Sequence, residues 1–412
     1  MSYKTTFLPI DYDSFDFEGR NYVKIIGRNF EGKRICVIDS CDVYLWAILK
    51  ENLEDKQIKK LIEKIQKIKL NVKGRNTKVE KVQLHEKNFL GKKVKALKVF
   101  ATNYKELHDI ADNLGIPEIE KRRGYDLGYI SHYIIEKRLN PLEWYEIDGE
   151  VLNNSFEFGG IDSCLEVDLC IKLKNHTRIE NEDKINNSKQ DISDQNINTR
   201  LIRASETSEL SRGGERSRFD KIENDKNKSR AGVGRGRGGL QTFTPRVLAY
   251  DIETNEFEIG KGEILMISLV GENFKKVLTW KPSPKSKKDF IINVKDETEM
   301  LERFIEEVKK YSPDFLVGYF SDGFDLPYIK ARSEKHGIKL SLGLDGSQPK
   351  FSRGNMLTGK INGIIHIDLI RFIQTAYSQY MSSETLSLNE VSNELLGERK
   401  NDFDIFAHLK NK

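Results

Sequence analysis

Asp251-Ile252-Glu253 places two carboxylates at i and i+2 behind the apolar run Val247-Leu248-Ala249-Tyr250. In a strand such residues project from one face. Two same-face carboxylates repel unless a cation or a proton lies between them. Hard divalent ions such as Mg²⁺ accept this arrangement, often using one or two carboxylates plus a substrate phosphate. The pattern by itself is common as ordinary surface charge. A second candidate stretch is Gly318-Tyr319-Phe320-Ser321-Asp322-Gly323-Phe324-Asp325-Leu326-Pro327-Tyr328, which follows the apolar Phe315-Leu316-Val317. Asp325 precedes a helical pattern with Pro327 in its first turn, so an N-cap role competes with a role as third metal ligand. Another carboxylate, Asp368 in His366-Ile367-Asp368, reads as structural.

These side chains need a sheet to hold them. Strand patterns cover Val247–Tyr250, Ile264–Val270, Lys276–Trp280, Phe315–Val317 and Ile364–Leu369, and helical periodicity covers Glu297–Tyr311, Leu326–His336 and Ser387–Leu396. Three strands followed by alternating helices and strands predict a mixed sheet covered by helices. The front of the chain reads as a second α/β module. Its strands are expected at Tyr22–Ile26, Arg34–Ile38, Ala96–Phe100 and Leu165–Leu173, and its helices at Leu53–Ile68, Lys105–Leu114 and Tyr129–Lys137.

The 412 residues carry 68 Lys+Arg against 64 Asp+Glu, a net charge of +4. That length predicts two or three domains. The charge is unevenly placed: residues 1–150 sum to +4, 151–170 to −4, 171–245 to +5 and 246–412 to −1. The third block has Phe219 as its only aromatic between Asn175 and Gly239 and ends in an Arg-Gly tract, Gly232 to Gly239. Such a composition cannot bury enough apolar surface to order itself, and predicts a disordered insertion. Its alternatives are a loose nucleic-acid tether and a solvated spacer. Cys36, Cys41, Cys164 and Cys170 fit neither zinc-site spacing nor a disulfide framework and read as reduced thiols of a cytoplasmic protein. No run of about 18 apolar residues predicts a membrane span, and Met1-Ser2-Tyr3-Lys4-Thr5 lacks a secretory signal's apolar stretch.

Val247–Thr254, Gly318–Tyr328 and Gly343-Leu344-Asp345-Gly346-Ser347-Gln348-Pro349-Lys350 resemble the 3′–5′ exonuclease domain of archaeal family B DNA polymerases. Val43 to Lys50, Asn88 to Lys92 and Tyr129 to Pro141 resemble the N-terminal domain of the same family. The resemblance implies an N-terminal domain over 1–170, an insertion over 171–245, and a ribonuclease H-like mixed-sheet exonuclease domain over 246–412. It also implies two-metal phosphodiester hydrolysis, with Mg²⁺ or Mn²⁺ held by Asp251, Glu253 and Asp325 and the primer 3′ end met by Tyr319, Phe320 and Phe324. Asp251 would bridge both ions, Glu253 would ligate the one holding the attacking water, and Asp325 the other.

In some archaeal members the N-terminal domain reads template uracil. Val43, Tyr44 and Lys92 to Lys93 lie near the matching pocket segments, and Lys92 and Lys93 are expected to bind DNA. Two departures stand out. Phe320 occupies a position where the family usually has Asn, and Lys412 is reached before the family's third motif, a helical Tyr-x-x-x-Asp. The expected partners are therefore DNA and a second polypeptide carrying palm, fingers and thumb, acting in the nucleoid. One alternative is a non-catalytic DNA-binding module, using Lys92, Lys93, Lys95, Lys98 and Lys121-Arg122-Arg123. A stand-alone exonuclease is another.

Overall fold

Alternation of buried and exposed residues along the strands builds two sheets and a barrel in the computed structural model, which describes residues 2–72, 74–179, 244–281, 288–353, 357–383 and 385–397. The front of the chain runs β1 Ser2–Phe17, β2 Arg20–Arg28, β3 Arg34–Asp39, β4 Val43–Leu49, α1 Asp55–Gln66, β5 Lys69–Val72, β6 Arg75–Phe89, β7 Lys92–Ala101, α2 Leu107–Asn113, β8 Ile119–Arg123, α3 Tyr129–Lys137, β9 Tyr145–Val151 and β10 Leu169–Arg178. Strands β1-β2-β3-β10-β9 close a barrel, and β5-β6-β7-β4-β8 form an antiparallel sheet. Val43, Leu45, Ala47 and Leu49 of β4 pack on Ile58, Leu61 and Ile65 of α1 and on Leu107, Ile110 and Ala111 of α2. The α/β expectation holds, with more strand than the periodicity gave. Strands β1, β6 and β9 carry charged residues on their wet faces, which masks their alternation. Residues 171–178 continue the barrel strand β10, so the polar insertion begins later than residue 171. The expected disorder falls on residues 180–243, outside the described residues.

The second part runs β11 Val247–Thr254, β12 Ile264–Gly271, β13 Phe274–Thr279, β14 Ile291–Asn293, α4 Glu297–Tyr311, β15 Phe315–Gly318, α5 Asp325–Lys335, the hairpin β16 Lys350–Arg353 and β17 Leu357–Lys360, β18 Ile365–Asp368, α6 Leu369–Ala376 and α7 Leu388–Leu396. Its sheet has the order β14-β13-β12-β11-β15-β18. β12 is antiparallel to both of its neighbours, while β15 and β18 run parallel to β11. Counting from β11, the five core strands lie in the order 3-2-1-4-5, a ribonuclease H-like mixed sheet. Met300, Leu301, Phe304 and Val308 of α4, with Leu326 and Ile329 of α5, bury the apolar side chains of β11 and β12.

The described residues up to His176 and from residue 244 onward form one unit by their contacts. A buried ion pair joins the barrel to the second sheet. Arg28 Nε lies 2.8 Å from Asp314, whose other oxygen accepts the Arg246 N–H at 2.9 Å. Arg34 adds a hydrogen bond to the Pro313 carbonyl at 2.9 Å. Such pairs sit in a dry interface only when their remaining donors and acceptors are also satisfied. No helix of the described residues is long and apolar enough to cross a membrane.

Candidate active site

Central strand β11 is where the acids are presented. Its alternation buries Leu248, Tyr250 and Ile252 while Asp251 stays exposed and Glu253 half-buried. Asp251 and Glu253 therefore share the face opposite Ile252, as the i, i+2 spacing predicts.

Asp325 arrives by another route. Strand β15 ends at Gly318, where a Cβ would stand 2.4 Å from Ser321 and 3.4 Å from the Tyr250 ring, so only glycine allows so tight a turn. Phe320 then takes φ +59°. Its N–H and that of Asp322 donate to the two oxygens of Asp368 at 2.8 and 3.0 Å. Asp368 also caps α6 through the Ile370 N–H. It is thus the structural carboxylate that the sequence suggests: it shapes the loop that delivers Asp325.

Asp325 does not cap its own helix. Its side chain accepts the Ile252 N–H at 3.2 Å, bringing it against the Asp-Ile-Glu strand. Burial first, then the nearby Asp251 charge, push its carboxyl up to about 7. Asp325 is 4% exposed, so this anion is costly without a counter-charge. Among the described residues, no three His, Cys, Asp or Glu side chains are drawn together tightly enough to hold a metal ion. Asp325 lies against the strand that carries Asp251 and feels its charge, and Glu253 follows on that strand without closing a three-ligand cluster. Carboxylate oxygens next to one another nevertheless suit hard divalent cations.

Around this pair is a network that motif reading missed. Asp322 accepts the Gly359 N–H at 2.7 Å, lies 3.1 Å from His366 Nδ1 and 3.2 Å from an Arg371 nitrogen. Burial alone would raise the Asp322 carboxyl, but these partners outweigh it and hold it below its ordinary value. His366 Nε2 lies 3.0 Å from the Tyr250 hydroxyl and 3.2 Å from Ser321 Oγ. Lying inside the same motif as Asp325 was the one available signal for Asp322. The other partners come from distant segments.

Three aromatics flank the loop. The Tyr319 hydroxyl donates to the Leu386 carbonyl. Phe324 packs on Tyr328 with ring centroids 5.3 Å apart. Phe320 is 53% exposed and lies over Gly323, where an added Cβ would meet its ring at 2.6 Å.

The front residues lie at two ends of one sheet. Val43 lines a cavity of about 440 Å³ together with Tyr22, Cys41, Asp42, Phe100 and Glu136. Tyr44 projects from the other face, where its hydroxyl donates to Glu136 at 2.7 Å. Val43 pairs with Ala101, whereas Lys92 and Lys93 begin the opposite end of β7. A ten-residue strand spans about 30 Å, so these lysines stand away from the Val43 cavity.

The 3-2-1-4-5 sheet with acids on its central strand defines a ribonuclease H-like fold. Residues 221–391 match the DNA polymerase family B exonuclease domain. The DNA polymerase of Pyrococcus glycovorans is 40% identical over 167 residues, covering 40% of this chain and 20% of that protein. DNA polymerase 1 of Pyrococcus abyssi is 38% identical over 165 residues, covering 39% and 20%. The match thus spans about a fifth of these relatives' length. The family B DNA polymerase of the hyperthermophilic archaeon Pyrobaculum calidifontis shares the fold over 96% of this chain and 40% of its own, with TM-score 0.61 and 18% identity.

Proposed function

We propose that this chain is the N-terminal and 3′–5′ exonuclease portion of a DNA-directed DNA polymerase, trimming the primer 3′ end with Mg²⁺ or Mn²⁺. A single observation carries the reading: Asp325 is buried against Asp251, its carboxyl pushed up to about 7, at the end of a nuclease-type sheet. Asp251, Glu253 and Asp325 are the residues that would hold the ions. When bound, the ions supply an activated water and stabilise the leaving 3′ oxygen.

The protein's own part is positional. Asp368 fixes the loop, the Ile252 N–H orients Asp325, and Tyr319, Phe320 and Phe324 offer surfaces for terminal nucleotides. Palm, fingers and thumb on a second polypeptide are the proposed partner. Phe320, at the family's usual Asn position, favours a second reading as a non-catalytic DNA-binding module.

The test is Mg²⁺-dependent shortening of 5′-labelled single-stranded DNA, with and without a polypeptide supplying those domains. Stepwise shortening that falls at least about a hundredfold in Asp251→Ala is expected. No cleavage in either format, or cleavage unchanged in the variant, overturns the exonuclease reading and leaves the binding module.

A further inference from the structure

The sheet β5-β6-β7-β4-β8 buries one face under α1 and α2. Without β5, its elements run β4-α1-β6-β7-α2-β8 with spatial order β6-β7-β4-β8. This is the βαββαβ arrangement in which RNA-recognition modules stack bases on the face away from the helices.

On that face the strand alternation sets aromatic rings among cations. Lys87 Nζ stands 4.8 Å from the Trp46 ring centroid, and Lys121 and Arg123 stand 5.5 and 5.6 Å from that of Phe89. Lys87, Lys121 and Arg123 are exposed, and both rings are half-buried. The register puts His85 beside Ala96 and Lys87 beside Val94, so Glu86 turns to the opposite face. On β6 and β7 the open-face positions of this end therefore carry positive charge and no acid. A concavity of about 380 Å³, with Ile48 and Ala96 in its lining, opens between the two rings.

At the far end of the same face Lys98 lies 3.6 Å from Glu136, and Tyr44 contacts His132, both from α3. The Trp46 end lacks these α3 contacts. A flat apolar ring can receive a base, and a cation above it is placed to meet the phosphate. Duplex DNA hides its base faces, so the occupant must be single-stranded.

We propose that the Trp46–Phe89 face is a single-stranded DNA site, with bases stacking on Trp46 and Phe89 and phosphates meeting Lys87, Lys121 and Arg123. Only the choice of DNA over RNA rests on the polymerase reading. The site needs no divalent metal, so its failure and that of the exonuclease are distinguishable.

The experiment is fluorescence anisotropy of labelled dT12 with the full chain in EDTA, at two salt concentrations, with tryptophan emission followed in parallel. Binding should weaken with salt and quench emission. Trp46→Ala should weaken binding about tenfold or more, and Trp46→Phe should keep most affinity while losing most of the quench. Because Trp46→Ala removes packing, the exposed pair Lys87→Glu and Arg123→Glu is the second arm, with a similar loss expected. Wild-type affinity in all three charge-reversal and alanine variants, or tighter binding of U12 or duplex DNA than of dT12, overturns the proposal.

Discussion

The end of β11 and the open face of β4 and β7 handle charge in opposite ways. At β11 the fold buries Asp325 within reach of the charge of the exposed Asp251, so the anionic form of Asp325 is costly. At Trp46 and Phe89 the cations stay in solvent and rest on ring faces, which costs little. The first surface calls for a cation at one point. The second offers a dispersed positive field over stacking platforms. A difference in burial, more than in charge count, therefore separates a candidate catalytic centre from a candidate binding face. The near-neutral sum over residues 246–412 and the net +4 over 1–150 conceal this contrast.

The largest expected effect tests whether the two regions are mechanically one body. Asp314→Ala removes the carboxylate facing the buried Arg28 guanidinium, which keeps only the neutral acceptors of Gly32 and Ser312, and should cost about 3–5 kcal/mol of stability by chemical denaturation. Two separated unfolding transitions in the wild type would break the comparison, because the regions would then be independent.

Next comes the strain at the acidic site. Asp325 binds its proton more tightly folded than unfolded, so folded-state stability falls as pH rises from about 4 to about 7. Asp325→Asn removes that loss. In EDTA the variant should be about 1–3 kcal/mol more stable than wild type above pH 7, with the gain fading towards pH 4. Equal stabilities at pH 8 would show that burial does not strain this carboxylate.

A smaller change is expected at Phe320. It holds φ +59°, a region Asn adopts more readily than Phe. Phe320→Asn should shift stability by less than about 1 kcal/mol. Its main effect should be on the KM for single-stranded DNA rather than on folding.

Much of this was legible in the residues. The 3.6-residue period of Glu297–Tyr311 marks that helix to the residue, because it has a single apolar stripe against a sheet. The i, i+2 pair on β11 was readable for the same reason: local alternation fixes its face. Non-local structure was not readable. Strand β6 has Lys, Glu, His and Gln where a core strand would have Val or Ile, and only its pairing with β7 makes it a strand. Asp322, His366 and Arg371 converge from three elements, and no spacing announces such a contact. That Lys92 and Lys93 begin the end of β7 opposite Val43 follows from the antiparallel register, which no local pattern announces.

Thermal denaturation of the full chain at pH 7.5, with and without millimolar Mn²⁺, tests the acidic site most directly, with Asp251→Ala and Asp325→Asn measured alongside. A cation that relieves the buried Asp325 beside Asp251 must bind the folded state preferentially, and so raise Tm. Mn²⁺ should raise the wild-type Tm by several degrees and leave both variants nearly unmoved. An unchanged wild-type Tm, or the same rise in all three proteins, would contradict a metal-binding role for Asp251 and Asp325.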